Sequence, residues 1–159
     1  MLKNFGNILS LLIKLAGMKR SYKDYLIFVA VSGIGDLCYA LSFIEDIKKK
    51  TNKKVVVFTR EYTCETVKAF PMIDETVILK SSDVEFFRKL ELPEKVRPVF
   101  NKYSLKYGIF FCTPLTEKTY DYIKNNKTNY IDIIREALKD VGAKNITYPQ
   151  VPLLDISKF

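Results

Sequence analysis

The stretch YLIFVAVSGIGD, residues 25–36, decides the fold. Tyr25–Val31 is a short, near-continuous apolar run that stops at Ser32-Gly33-Ile34-Gly35-Asp36. A strand buried on both faces reads this way, because the polar alternation of a half-solvated strand is missing. Downstream, Leu37–Lys50 has helical spacing, with Leu37, Ala40, Leu41, Ile44 and Ile47 on one face. Its last turn ends in Lys48, Lys49 and Lys50, which complement the negative end of the helix dipole. Lys54–Thr59 (KVVVFT) predicts a second strand, and Arg60–Phe70 a helix or turn closed by Pro71. Glu75–Leu79 (ETVIL) predicts a third strand. Ser82 and Glu85 stand three apart, as in a capping box, and open a short helix through Leu90. Residues 91–104 hold Pro93 and Pro98 and read as loop with some helix. Tyr107–Thr113 predicts a fourth strand stopped by Pro114, and residues 129–141 a helix ended by Gly142.

Strands separated by helix-length crossovers imply an α/β fold with a doubly wound, mostly parallel, Rossmann-like sheet. The chain of 159 residues fits one domain and buries enough surface to stand without a disulfide or metal staple. No internal repeat or low-complexity linker interrupts it. The apolar, proline-bearing tail, residues 147–159, suits a strand that starts elsewhere.

Upstream, MLKNFGNILSLLIKLAGMKR, residues 1–20, reads as an amphipathic helix. Lys3, Asn7, Ser10 and Lys14 form a polar stripe. Leu2, Phe5, Leu9, Leu12 and Ala16 form an apolar one, widened by Ile8, Leu11 and Leu15. Lys14 interrupts the apolar run, which is too short to span a bilayer and too broken for a signal peptide. The helix either lies in a membrane interface or packs on its own domain or a partner.

Composition removes several chemistries. There is no histidine, which excludes Ser-His-Asp and Cys-His nucleophile pairs, His-ligated metals and imidazole acid–base catalysis. Cys38, Cys64 and Cys112 are far apart and form no metal-ligand spacing, so no metal is expected. Their odd number inside apolar segments suggests reduced, buried thiols and a cytoplasmic home. The net charge of +8 is unevenly spread. Lys3, Lys14, Lys19 and Arg20 supply half of it, and Lys48, Lys49, Lys50, Lys53 and Lys54 form a dense cluster. Such lumps are either solvated helix ends or contacts for an anionic partner: lipid, phosphorylated glycan or nucleic acid. Nucleic acid is disfavoured, because no recognition helix, aromatic RNA-binding motif or zinc module accompanies the lysines.

In a doubly wound fold, ligands bind beyond the carboxyl ends of the strands, where residues 32–36 fall. Gly33 and Gly35 permit a tight turn and close approach of a ligand to the backbone. A dinucleotide loop would need a third glycine where Cys38 stands, and Asp36 would repel a pyrophosphate at the helix N-terminus. Arg60, at the end of the second strand, is the one feature that favours such a cofactor. No cofactor is therefore expected. Asp36 has two compatible readings: a general base for a substrate hydroxyl, or the N-cap of the next helix.

The order of these features resembles the start of bacterial heptosyltransferases, glycosyltransferase family 9. The resemblance is carried by Ser32-Gly33-Ile34-Gly35-Asp36 after a strand, the helix Leu37–Lys49, Arg60-Glu61-Tyr62, and Pro71-Met72-Ile73-Asp74-Glu75-Thr76-Val77-Ile78. Asn129–Gly142 with Pro149 and Val151-Pro152-Leu153 resembles the close of that N-terminal domain. Roughly two thirds of the chain is covered, and residues 80–127 depart from the pattern. The resemblance implies half of a GT-B architecture, two Rossmann-like domains around a cleft. Residues 21–150 would be the acceptor-side domain, residues 1–20 a basic amphipathic addition, and residues 151–159 the opening of a second, donor domain. It implies a glycan or glycolipid acceptor of lipopolysaccharide inner-core type and a nucleotide-sugar donor such as ADP-heptose, held by that second domain. Asp36 would be the base of a metal-free, inverting transfer, Ser32, Gly33, Gly35 and Arg60 would line the acceptor site, and the Lys48–Lys54 cluster would meet acceptor phosphates or membrane. Without a donor domain the chain should not transfer sugar. Two other readings stand beside this one: a non-catalytic binding or interaction module, and a stand-alone nucleotide-binding protein.

Overall fold

The computed structural model describes residues 2–31, 33–41, 44–90 and 108–111. The expected helix over 129–141, the loop 91–104 and the tail 147–159 lie outside these residues. Helix α1 (Leu2–Ser21) leads to strand β1 (Tyr25–Ala30), helices α2 (Ile34–Leu41) and α3 (Ile44–Thr51), and strand β2 (Lys54–Thr59). A single 3-10 turn, Glu61–Thr63, opens α4 (Cys64–Lys68), and β3 (Glu75–Ile78), α5 (Ser81–Arg88) and β4 (Ile109–Phe111) follow.

The four strands form one sheet in the order β3-β2-β1-β4. Every pair is parallel: Ala30 lies beside Thr59, Thr59 beside Ile78, and Val29 beside Phe111. The chain steps outward from β1 through β2 to β3 and places β4 on the opposite side of β1. It is an α/β fold with a parallel sheet. Parallel neighbours need helical crossovers, and those helices cover both faces, which is why β1 and β2 are apolar on both sides.

One face gathers Ile27, Val29, Val31, Val56 and Phe58 with Leu11 and Leu15 of α1, Phe87 of α5 and Ile109 of β4. By alternation, Leu26, Phe28, Ala30, Val55 and Val57 point to the other face, and all are buried. Leu37 and Leu41 of α2, Ile44 of α3 and Val67 of α4 are buried too, and α3 and α4 both lie against β2.

Two helix starts differ from the sequence reading. The helix expected from Leu37 starts three residues early, at Ile34. Helix α5 begins at Ser81, so Lys80 is the N-cap, without a side-chain cap bond, and Ser82 lies inside the first turn. The expected capping box is therefore not formed. Of the expected fourth strand, the described residues show Ile109–Phe111; Gly108 before it has φ +71°, and a Cβ there would lie 3.2 Å from Leu26 Cδ2. That left-handed turn suits only glycine.

Helix α1 packs on its own domain, through Leu11 and Leu15. Lys14, expected on a solvated stripe, instead forms an ion pair with Asp83 of α5 and lies 5.3 Å from the centre of the Phe86 ring. Among the described residues no helix is long and apolar enough to cross a membrane.

Candidate functional site

Parallel pairing carries the ends of β1, β2 and β3 to one edge of the sheet. Val31 follows Ala30, Arg60 follows Thr59, and Leu79 follows Ile78, and the three strand ends are in register. The glycine loop leaves this edge. Leu37 N–H donates to the Gly33 carbonyl at 3.1 Å, the first helical hydrogen bond of α2. Gly33 thus occupies the N-cap position, and Asp36 is the third residue of the helix rather than its cap. An acid in a first helical turn is favoured by the macrodipole. Ser32 lies outside the described residues.

Gly33 and Gly35 are not forced by the fold. Neither takes a left-handed φ, and a Cβ at either would meet no described atom within 4 Å. Both are exposed. The tight-turn explanation is therefore set aside. Among the described residues, the missing side chains leave the space above the first turn of α2 open.

Arg60 reaches toward this loop. Its Nη1 donates to the Val31 carbonyl at 3.5 Å, a long contact, and its guanidinium lies 4.3 Å from the centre of the Tyr62 ring. The backbone that aims it is fixed by two buried hydroxyls. Thr59 and Thr63 share a hydrogen bond of 2.7 Å, and Thr63 Oγ1 donates to the Arg60 carbonyl at 3.1 Å. Thr63 N–H reaches the same carbonyl at 3.2 Å, which closes the 3-10 turn.

Beside Arg60 lies a cleft of about 700 Å³. Its walls are Arg60, Glu61 and Tyr62 after β2, Leu79 after β3, and Ser81, Val84, Glu85, Arg88 and Lys89 along α5. Lys89 donates to Glu85 across one helical turn and holds that carboxyl below its ordinary range. Among the described residues neither Arg60 nor Arg88 has an ion-pair partner. The cleft therefore offers two guanidinium groups, one stacked on an aromatic ring, a geometry that suits carboxylates and phosphates. Arg88 and Ser81 escaped the sequence reading. The one available signal was the helical spacing of residues 81–88, which placed them on a helix at the carboxyl edge of β3.

The lysine cluster is elsewhere. Lys53 precedes β2 and Lys54 opens it, so the length of that strand, about 17 Å, separates them from Arg60. Lys48 is committed to the fold: its Nζ donates to Asp74 Oδ2 at 2.8 Å and to the Met72 carbonyl at 2.9 Å. Lys54 lies 5.8 Å from the centre of the Tyr25 ring. Lys49 and Lys53 are exposed, and the Lys50 side chain is not described. The cluster and the glycine loop are thus not one site.

Cys38, two residues past Asp36, is half-buried, and burial pushes its thiol up, away from the reactive thiolate. Among the described residues no three His, Cys, Asp or Glu side chains gather as a metal-binding group. Comparison with known proteins gives no match: no family model, no curated protein and no solved structure matches the chain.

Proposed function

We propose that this chain is the acceptor-side half of an inverting, metal-independent glycosyltransferase of the heptosyltransferase type. The sheet is then the doubly wound, Rossmann-like sheet of one GT-B domain. The observation that carries the reading is the shared edge. An acid on the first turn after β1 and an arginine after β2 flank one open loop, next to a cleft with a second arginine.

The chemistry assigns Asp36 the proton. Its carboxylate accepts the proton of an acceptor hydroxyl as that oxygen attacks the anomeric carbon of a nucleotide sugar. The new carbon–oxygen bond forms as the bond to the nucleoside diphosphate breaks, and the diphosphate leaves with the electron pair. Inversion follows from attack opposite the leaving group. Gly33 and Gly35 supply open backbone for the acceptor beside Ser32, and Arg60 with Arg88 holds its anionic groups. The donor sits on a second domain, so the half by itself binds without turnover. The acceptor is a glycan or glycolipid of lipopolysaccharide-core type, reached from the cytoplasmic side.

Titration calorimetry with a phosphorylated core oligosaccharide tests the reading. Wild-type chain should bind it, and Arg60→Gln should bind roughly tenfold or more weakly, the scale of one lost charge-assisted contact. Absence of heat with wild-type protein would oppose the acceptor assignment. A non-catalytic module that uses the same two arginines is the second reading. It predicts the same binding but no transfer when a donor domain is supplied.

A further inference from the structure

Helix α1 has two apolar sides, and the sheet uses one. Leu11 and Leu15 are buried, with Ile8, Met18 and Tyr22 packed beside them. Leu9 and Leu12 are each 51% exposed and Ile13 is 64% exposed. These three and the exposed Ala16 and Arg20 follow at steps of three and four residues, so they share a stripe turned away from the sheet.

The charge on this helix has one sign. Residues 2–21 contain Lys3, Lys14, Lys19 and Arg20 and no acid. Lys14 is drawn aside to Asp83. At the other end Lys19 turns inward, its Nζ donating to the Tyr25 carbonyl at 3.3 Å, which leaves Arg20 as the exposed cation of the last turn. Arg20 ends the apolar stripe, and Lys23 follows in the exposed turn. An apolar stripe with a basic end fits an anionic bilayer surface. A second copy of α1 fits poorly, because two cationic helices would meet with no acid on either to offset them.

We propose that the outer face of α1 docks flat on an anionic lipid bilayer, with Leu9, Leu12 and Ile13 at the acyl boundary and Arg20, followed by Lys23, on the headgroups. The proposal does not rest on sugar transfer, since none of these residues lines the cleft. The ion pair Lys14–Asp83 ties α1 to α5, of which Ser81, Val84, Glu85 and Arg88 line the cleft.

Sedimentation of the full chain with phosphatidylcholine vesicles, with and without phosphatidylglycerol, tests it. Wild-type chain should bind the phosphatidylglycerol vesicles, and added salt should weaken the binding. The double variant Leu12→Gln, Ile13→Gln should bind at least ~10-fold more weakly with unchanged urea stability, because both side chains already face water. Arg20→Gln should lose part of the affinity. Failure of wild-type protein to bind anionic vesicles overturns the proposal, as does a double variant that binds equally well. A concentration-dependent dimer abolished by the double substitution, without vesicle binding, overturns it in favour of a second copy.

Discussion

At the scale of single residues, Asp74 joins three parts of the chain. Its Oδ2 accepts from Val55 N–H at 2.7 Å and from Lys48 Nζ at 2.8 Å, and its own N–H donates to the Val55 carbonyl at 3.0 Å. It thus ties α3, the start of β2 and the entry to β3. Burial works against its charge, but the Lys48 and Val55 hydrogen bonds outweigh this and hold the carboxyl below its ordinary 3.8. The folded chain therefore gives up this proton more easily than the unfolded one. The stabilisation is complete above the ordinary value and fades as pH falls through the lower folded value. Asp74→Ala should cost about 1 kcal/mol in urea unfolding at neutral pH, given the partial solvent exposure. The gap between variant and wild type should narrow as pH falls below the ordinary 3.8 and through the lower folded value. In the sequence, Asp74 was visible only as one letter of a family-like stretch. Nothing local marked its bond to Val55, which depends on the pairing of β2 with β3. Asp36 was legible as the acid of the loop, but its third place in α2 was not. Glycines at 33 and 35 read as a turn, whereas the helix starts between them.

At the scale of elements, the strands were legible and the faces of α1 were not. Lys54–Thr59 was read with the bounds the structure has, and Tyr25–Val31 ends one residue beyond the observed β1. Strands buried on both sides need only a continuous apolar run, a purely local signal. Helix α1 is apolar around most of its circumference, so periodicity offers two candidate seams. The stripe that looked strongest, through Leu9, Leu12 and Ala16, faces solvent, and the residues that seemed to widen it make the contact. Only the tertiary fit chooses between them. Leu11→Ala should therefore destabilise the chain by ~2–5 kcal/mol in urea unfolding. Leu12→Ala, one residue on, should stay within ~0.5 kcal/mol of wild type. Equal losses would mean that both seams are packed. Tyr22 fastens the end of α1, edge-on to Tyr25 and Phe58 with centroids 5.4 Å apart. Its hydroxyl donates to Glu75 at 2.7 Å, and that bond to the carboxylate, with burial second, pushes the phenol up to about 12.

At the scale of the whole molecule, the parallel order β3-β2-β1-β4 sorts the basic residues by position. Arg60 and Arg88 belong to the carboxyl edge with the glycine loop, and the lysines of residues 48–54 belong to the opposite end. The sequence already separated them, because Lys54–Thr59 reads as a strand with the lysines at its start and Arg60 at its end. With no histidine in the chain, the proposed transfer needs a carboxylate, and Asp36 is the acid of the loop. The central claim is that this acid takes a proton from an acceptor hydroxyl when a donor domain is present. The most direct measurement is the rate of sugar transfer from a nucleotide-sugar donor in a mixture of this chain with a heptosyltransferase donor domain. Wild-type chain should support turnover, and Asp36→Asn should lower it by ~10²–10⁴-fold while the oligosaccharide still binds. Full activity of the Asp36→Asn chain in that mixture would contradict the account.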